Sequence, residues 1–284
     1  MRIVSGGVTD LGLVRTNNED CFRIVESLNL FVLADGMGGE AHGEVASEMA
    51  VETVVKACME PAGTAGIPAT QLGSSEPTWS EKTKRLTGAV HQANRNIYDS
   101  AEAHPEQRGM GATLTAAWID GSKLSVAHVG DSRLYLLRSG NLQQLTSDHS
   151  LVAEQVRRGI LTAAEAEESE MQSVLLRALG ALPDVEVDTE EHTVFARDTL
   201  LLCCDGLTRM VSDPEIAGTL QSENDPTKAA EKLIALANER GGVDNITVIV
   251  VRVGSESRRW FSWLFGSGRK KAANNGAAGG SLDG

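Results

Sequence analysis

Residues 29–41 read NLFVLADGMGGEA. An apolar run from Leu30 to Ala34 stops at Asp35, and Gly36, Gly38 and Gly39 follow. The run reads as a buried strand. By itself the Asp-Gly pair marks a turn, because Asp hydrogen-bonds locally and Gly accepts positive φ. The rest of the chain decides between a turn and a site.

The pattern recurs. LSVAHVGD brings a strand to Asp131, DTLLLCCDGL brings one to Asp205, and GGVDNITVIVV starts one at Asp244. In an antiparallel sheet the start of one strand lies beside the end of its neighbour, so four carboxylates distant in sequence can collect on one rim. Carboxylates that close repel, and each has its pKa raised unless a cation neutralises it. Oxygen donors without His or Cys select hard ions, Mg²⁺ or Mn²⁺.

The strands around these aspartates are expected over 22–26, 30–34, 113–119, 123–129, 132–138, 141–145, 185–194, 199–204 and 245–253. Asp120-Gly121 and Ser139-Gly140-Asn141 read as hairpin turns, which makes the strands they join antiparallel and argues against a doubly wound parallel sheet. Helices are expected over 43–59, 82–103, 148–158, 162–169, 214–221 and 226–239. Ser147 or Asp148 is the expected cap of the third, and Asp213-Pro214 the opening of the fifth. The fold class expected is therefore α+β, helices layered on antiparallel sheets.

The chain has 284 residues, 41% hydrophobic and 23% charged, ordinary for a globular protein with a substantial core. A net charge of −13 argues against a nucleic-acid partner. Cys21, Cys58, Cys203 and Cys204 show no metal-binding or disulfide spacing and read as free thiols, with one of Cys203 and Cys204 in the core. The first residues lack the apolar core of a signal peptide, and no apolar run approaches the ~20 residues of a membrane span, so a cytoplasmic location is expected. Residues 61–80 read as a Gly/Pro/Ser/Thr-rich surface loop. A domain over 1–253 and a flexible tail over 254–284 are expected. Within the tail, residues 258–271 set Trp260, Phe261, Trp263, Leu264 and Phe265 between two basic clusters, a pattern suited to an anionic membrane surface or a partner protein.

RTNNED (15–20), ADGMGGEAHGEVAS (34–47), GMGATL (109–114), HVGDSRLY (128–135), LTSDHS (145–150), LLRALG (175–180), CDGL (204–207) and GGVDNITV (241–248) form an ordered set. This set resembles the successive motifs of the metal-dependent PP2C-type (PPM) serine/threonine protein phosphatases, bacterial branch, from about residue 5 to 253. The resemblance implies a central β-sandwich of two antiparallel sheets flanked by α-helices. It implies two Mn²⁺ or Mg²⁺ ions, with Asp35 bridging them, the Gly36 carbonyl completing one coordination sphere, and Asp205 and Asp244 as the other ligands of the first. Asp131 and Asp205 match ligands of a third ion seen in many bacterial members, and Ser173 falls where some supply another contact. Glu19 and Asp20 match the acidic pair beside the ions, and Arg15 the phosphate-binding arginine, whose planar fork suits two phosphate oxygens. Asn245 is expected to orient Asp244. The reaction implied is direct in-line attack on phosphorus by a metal-bridging hydroxide, without a phosphoenzyme.

One position departs from the eukaryotic pattern. Met37 stands where those members carry a proposed acid, a histidine, and bacterial relatives commonly share the methionine. His42 and His149 read as solvent-facing and structural, which leaves the acid unassigned. Residues 149–183 correspond to the family's flap beside the site. The partners implied are phosphoproteins and an opposing Ser/Thr kinase, with a monomer expected. Two alternatives stand beside this reading: a catalytically silent phosphoprotein-binding scaffold, and a hydrolase of small phosphoesters.

Overall fold

A run such as Leu30–Ala34 buries every residue only if both faces of its strand are covered, and the architecture does that. The structure, a computed structural model, describes residues 1–38, 42–60 and 79–254. The surface loop expected over 61–80, apart from its last two residues, and the contact segment 258–271 lie outside the described residues.

The first sheet has the order β1-β11-β10-β7-β8: β1 (Arg2–Asp10), β11 (Ile246–Gly254), β10 (Thr199–Cys203), β7 (Arg133–Arg138) and β8 (Asn141–Gln144). The second has the order β2-β3-β5-β6-β9: β2 (Asp20–Val25), β3 (Leu30–Met37), β5 (Leu114–Asp120), β6 (Lys123–Val129) and β9 (Asp188–Thr193), with β4 (Gly111–Ala112) on the far end of β3. These pairings are antiparallel. Helices α1 (Gly43–Met59) and α2 (Glu81–Ala103) cover the second sheet. Helices α6 (Asp213–Ser222) and α7 (Pro226–Glu239) cover the first.

Strand parity sorts the core into layers. Phe31 and Leu33 face the other sheet, packing with Leu134, Leu200, Leu202, Ile249 and Val251. Leu30, Val32 and Ala34 face α1 and α2, among Val54, Leu86 and Val90. On β10, Leu201 and Cys203 turn toward the outer helices and Cys204 turns inward. Both cysteines are therefore buried, where one was expected in the core. By the same parity Asp35 continues the inward set of β3. Asp20, its register partner, continues the inward set of β2.

Several boundaries differ from expectation for local reasons. Strand β1 is absent from the expected set because RIVSGGVTD spends two positions on glycine. A Cβ on Gly6 would lie 2.5 Å from the Thr227 nitrogen, and one on Gly7 2.5 Å from the Phe22 ring, so close packing excludes side chains there. Helix α3 (Leu151–Arg157) is capped by Ser150, which accepts the Ala153 N–H, and not by Ser147 or Asp148. The Asp148 carboxylate is engaged instead by Arg133 and Gln144. Helix α6 opens at Ser212, whose N–H donates to Glu215, while Asp213 accepts from the Tyr135 hydroxyl. Helix α4 (Ala163–Glu167) opens on a Thr162–Glu165 capping box. The four-residue helix α5 (Asp205–Thr208) was not foreseen.

Candidate active site

The aspartates reach one end of the sandwich from both sheets. Asp35 lies on β3, and its backbone is held by Thr113: the Thr113 N–H donates to the Asp35 carbonyl at 2.8 Å, and the Asp35 N–H donates to Thr113 Oγ1 at 3.2 Å. Asp131 follows β6 through Gly130, whose φ of +111° and close approach to Thr113 suit glycine. Asp205 opens α5 just beyond β10, and Asp244 precedes β11 by two residues. Asp131, Asp205 and Asp244 stand just beyond strand ends as expected, Asp35 lies two residues inside the end of β3, and the rim is shared between two sheets.

A loop from Leu11 to Glu19 closes the arrangement. Leu13 N–H donates to the Gly242 carbonyl at 2.7 Å. Asn245 fastens the rest: its Oδ1 accepts the Glu19 N–H at 2.8 Å, and its Nδ2 donates to the Leu11 and Asn17 carbonyls, each at 3.0 Å. Asn245 was expected to orient Asp244. Its backbone N–H does so, donating to Asp244 Oδ1 at 2.9 Å, while its side chain positions the loop carrying Arg15 and Glu19.

Together these segments line a cleft of about 230 Å³ containing Arg15, Glu19, Asp35, Gly36, Asp131, Ser173, Asp205 and Asp244, with Met37 and Arg209. Asp20 sits directly behind it. Every residue expected at the site from the sequence is brought to the cleft or to its wall. His42 is not among the lining residues; it faces solvent beside Glu44. His149 is buried, accepting the Gly130 N–H and pairing with Asp188, a structural position as expected. Arg209 is the residue the motifs missed. It lies beyond the matched CDGL, and its i, i+4 spacing from Asp205 becomes informative only once α5 is recognised as a helix.

The electrostatics are dominated by crowded acids. Burial, then Asp20 and Asp205, hold the Asp35 carboxyl well above the usual range. Burial, opposed by the Thr247 hydroxyl, pushes Asp20 up to about 7, and burial with Asp205 does the same to Asp131. Asp205 is raised by burial despite Arg209 and a hydrogen bond with Asp35. At the mouth, half-exposed Arg15 reaches Asp244 at 2.9 Å.

A hard divalent cation fits this donor set. Asp20, Asp35 and Cys204 present ligand atoms within 4.8 Å of one another. Asp20 Oδ1 is buried with no hydrogen-bond partner. The Cys204 sulfur is a poor third donor: its thiol donates to the Asn245 carbonyl, and burial holds its pKa well above the ordinary value. What remains is oxygen, from carboxylates that repel each other without a cation.

Comparison with known proteins agrees with the fold. Residues 14–238 match the family model for protein phosphatase 2C, and the chain belongs to that family. The serine/threonine phosphatase stp of Listeria monocytogenes is 42% identical over 246 residues, covering 86% of this chain and 93% of that protein. The crystal structure of the Mycobacterium tuberculosis serine/threonine phosphatase PstP/Ppp superposes with a TM-score of 0.79 at 36% identity, over 89% of this chain and 99% of that one. The catalytic domain of PstP in complex with two manganese ions gives 0.76 at 37% identity, over the same shares of the two chains.

Proposed function

We propose that the protein removes phosphate from phosphoserine and phosphothreonine on proteins, with Asp35, the Gly36 carbonyl, Asp205 and Asp244 holding two Mn²⁺ or Mg²⁺ ions. Asp131, Ser173 and Asp205 are the groups available to a third. The observation that carries the reading is the convergence of four aspartates from two sheets on one cleft with an arginine at its mouth. When bound, such ions bring the pKa of water toward neutrality and offset charge on phosphate oxygens.

The chain's own residues do the rest. The Arg15 fork, half-exposed, exchanges Asp244 for two phosphate oxygens and fixes the ester in line. Glu19, raised chiefly by burial, lines the cleft and accepts a hydrogen bond from water there, steering its lone pair toward phosphorus, while Asp20, pushed up to about 7 chiefly by burial, stands behind the cleft in register with Asp35. Met37 lines the cleft and has no proton to give, so the leaving alkoxide takes its proton from water. The catalytic unit is residues 1–253. Phosphoproteins are the substrates, a Ser/Thr kinase supplies them, the working form is a monomer and the compartment is the cytoplasm. No helix among the described residues is long and apolar enough to cross a membrane.

The test is Mn²⁺-dependent turnover of a phosphothreonine peptide by wild type and Asp244→Ala, with a free small phosphoester in parallel. Metal-dependent peptide turnover that collapses in the variant is expected. A wild type inert toward the peptide, or equally active with the small ester, overturns the proposal.

A further inference from the structure

Where the cleft opens, aliphatic side chains stand in solvent. Leu13 and Val14 lead directly into Arg15, and Val243 directly precedes Asp244. Leu13 is 67% exposed, Val14 63% and Val243 43%. The two segments lie side by side and are fixed there, with the Leu13 N–H on the Gly242 carbonyl. Asp10 Oδ1 accepts the Gly12 N–H at 2.9 Å and an Asn238 Nδ2 hydrogen at 3.0 Å. Gly12, at a φ of +76°, runs so close to the Asp244 carbonyl that no Cβ fits between them. The Leu13 side chain lies against Gly242, where any larger residue would meet its Cγ. A loop tied this firmly presents its aliphatic side chains without first having to be ordered.

We propose that Leu13, Val14 and Val243 form a rim that binds the polypeptide around the phosphorylated residue of a protein substrate, favouring substrates with aliphatic residues beside it. The inference rests on the proposed phosphatase reading of the cleft and narrows its substrate class. Extended chain spans at most ~3.6 Å per residue. With the phosphate on Arg15, residues one and two positions from the phosphoester therefore fall within reach of Val14, Leu13 and Val243. Aliphatic side chains there remove apolar surface from water on both partners. Whatever covers the rim also covers the approach to Arg15. A lasting occupant, such as a second copy of the chain or its own tail, would shut the cleft, whereas a substrate leaves with each turnover.

The test uses the full chain with Mn²⁺ and two phosphothreonine peptides that differ only at the residues flanking the phosphothreonine, leucine in one and serine in the other. p-Nitrophenyl phosphate, which has no flanking residues, is the reference. Wild type is expected to show a kcat/KM at least about fivefold higher on the leucine peptide. In Leu13→Ser/Val14→Ser and in Val243→Ser that ratio should fall toward one, through KM with kcat unchanged. Should the double substitution fail to fold, Val14→Thr, which keeps the shape of the side chain, carries the same comparison. A wild type that turns over both peptides equally overturns the inference and leaves the proposed function intact. So do variants that lose both peptides and the reference ester alike, since their Arg15 is then displaced. A specific activity that rises on dilution gives the rim to a second copy, and inhibition by a peptide of residues 258–271 that the variants escape gives it to the tail; either overturns the inference. A wild type inert toward both peptides removes the proposed function and the inference with it.

Discussion

Asn245 Oδ1 accepts the backbone N–H of Glu19 at 2.8 Å, joining two residues 226 positions apart. The same side chain donates to Leu11 and Asn17, so one amide decides where the Arg15 loop sits. Asn245→Ala is expected to cost about 2–3 kcal/mol, because the loop's polar groups lose their partners. It should also raise KM for a phosphopeptide. Urea unfolding and steady-state kinetics check both; a change in neither shows that the loop holds its place without Asn245.

Asp35→Ala removes the carboxylate that β3 carries into the cleft. Loss of Mn²⁺ heat in titration calorimetry and turnover at background are expected, since no other residue reaches its position between the sheets. Intact binding with full activity is the contrary result.

Arg15→Ala separates ground-state binding from catalysis. A raised KM at constant kcat means the arginine holds phosphate equally in both states, whereas a fall in kcat as well means that it favours the transition state. Kinetics matching wild type remove Arg15 from the reaction.

Gly206→Ala tests the packing beneath Asp205. A Cβ there would lie 2.0 Å from the Asn245 carbonyl oxygen, so α5 or the start of β11 must shift. A loss of about 1–3 kcal/mol is expected by thermal unfolding, with weaker Mn²⁺ binding. An unchanged melting temperature contradicts this.

Acid sensitivity should be visible at Asp188, which pairs with His149 and does not line the acidic cleft. The hydrogen bond with His149, aided by Arg177, brings its carboxyl down to about 2. A depressed folded-state pKa contributes stability above the unfolded value near about 4, and that contribution disappears as pH falls through about 2. Because the side chain is 38% exposed, solvent screening limits the effect to about 1 kcal/mol. Asp188→Asn should therefore be less stable than wild type at about pH 6, with the gap closing toward pH ~2. A gap that does not narrow in urea titrations across that range excludes the ionic origin.

Much of this was legible in the chain itself, for identifiable reasons. Helix α1 and both hairpins carry strong local signals, and the acids at strand ends are visible because each adjoins an apolar run. Strand β1 escaped because Gly6 and Gly7 serve the packing of α7 and β2, which no local pattern reports. Ser150 rather than Asp148 caps α3 because Arg133, distant in sequence until the sheet forms, captures the aspartate. Arg209 escaped for a related reason: its partners are defined by a four-residue helix and by Asp244, 35 positions later. Contacts made across the sandwich leave no periodicity to read.

The ladder between β1 and β11 runs in unbroken register from Asp10 and Ile246 at one end to Arg2 and Gly254 at the other. Nine residues of strand separate these ends by ~30 Å. Asp244 and the Arg15 loop stand at the first pole, so Gly254 lies at the opposite one. A tether attached at Gly254 would hold the enzyme by its back, with the mouth turned outward and free to receive clients as bulky as folded proteins.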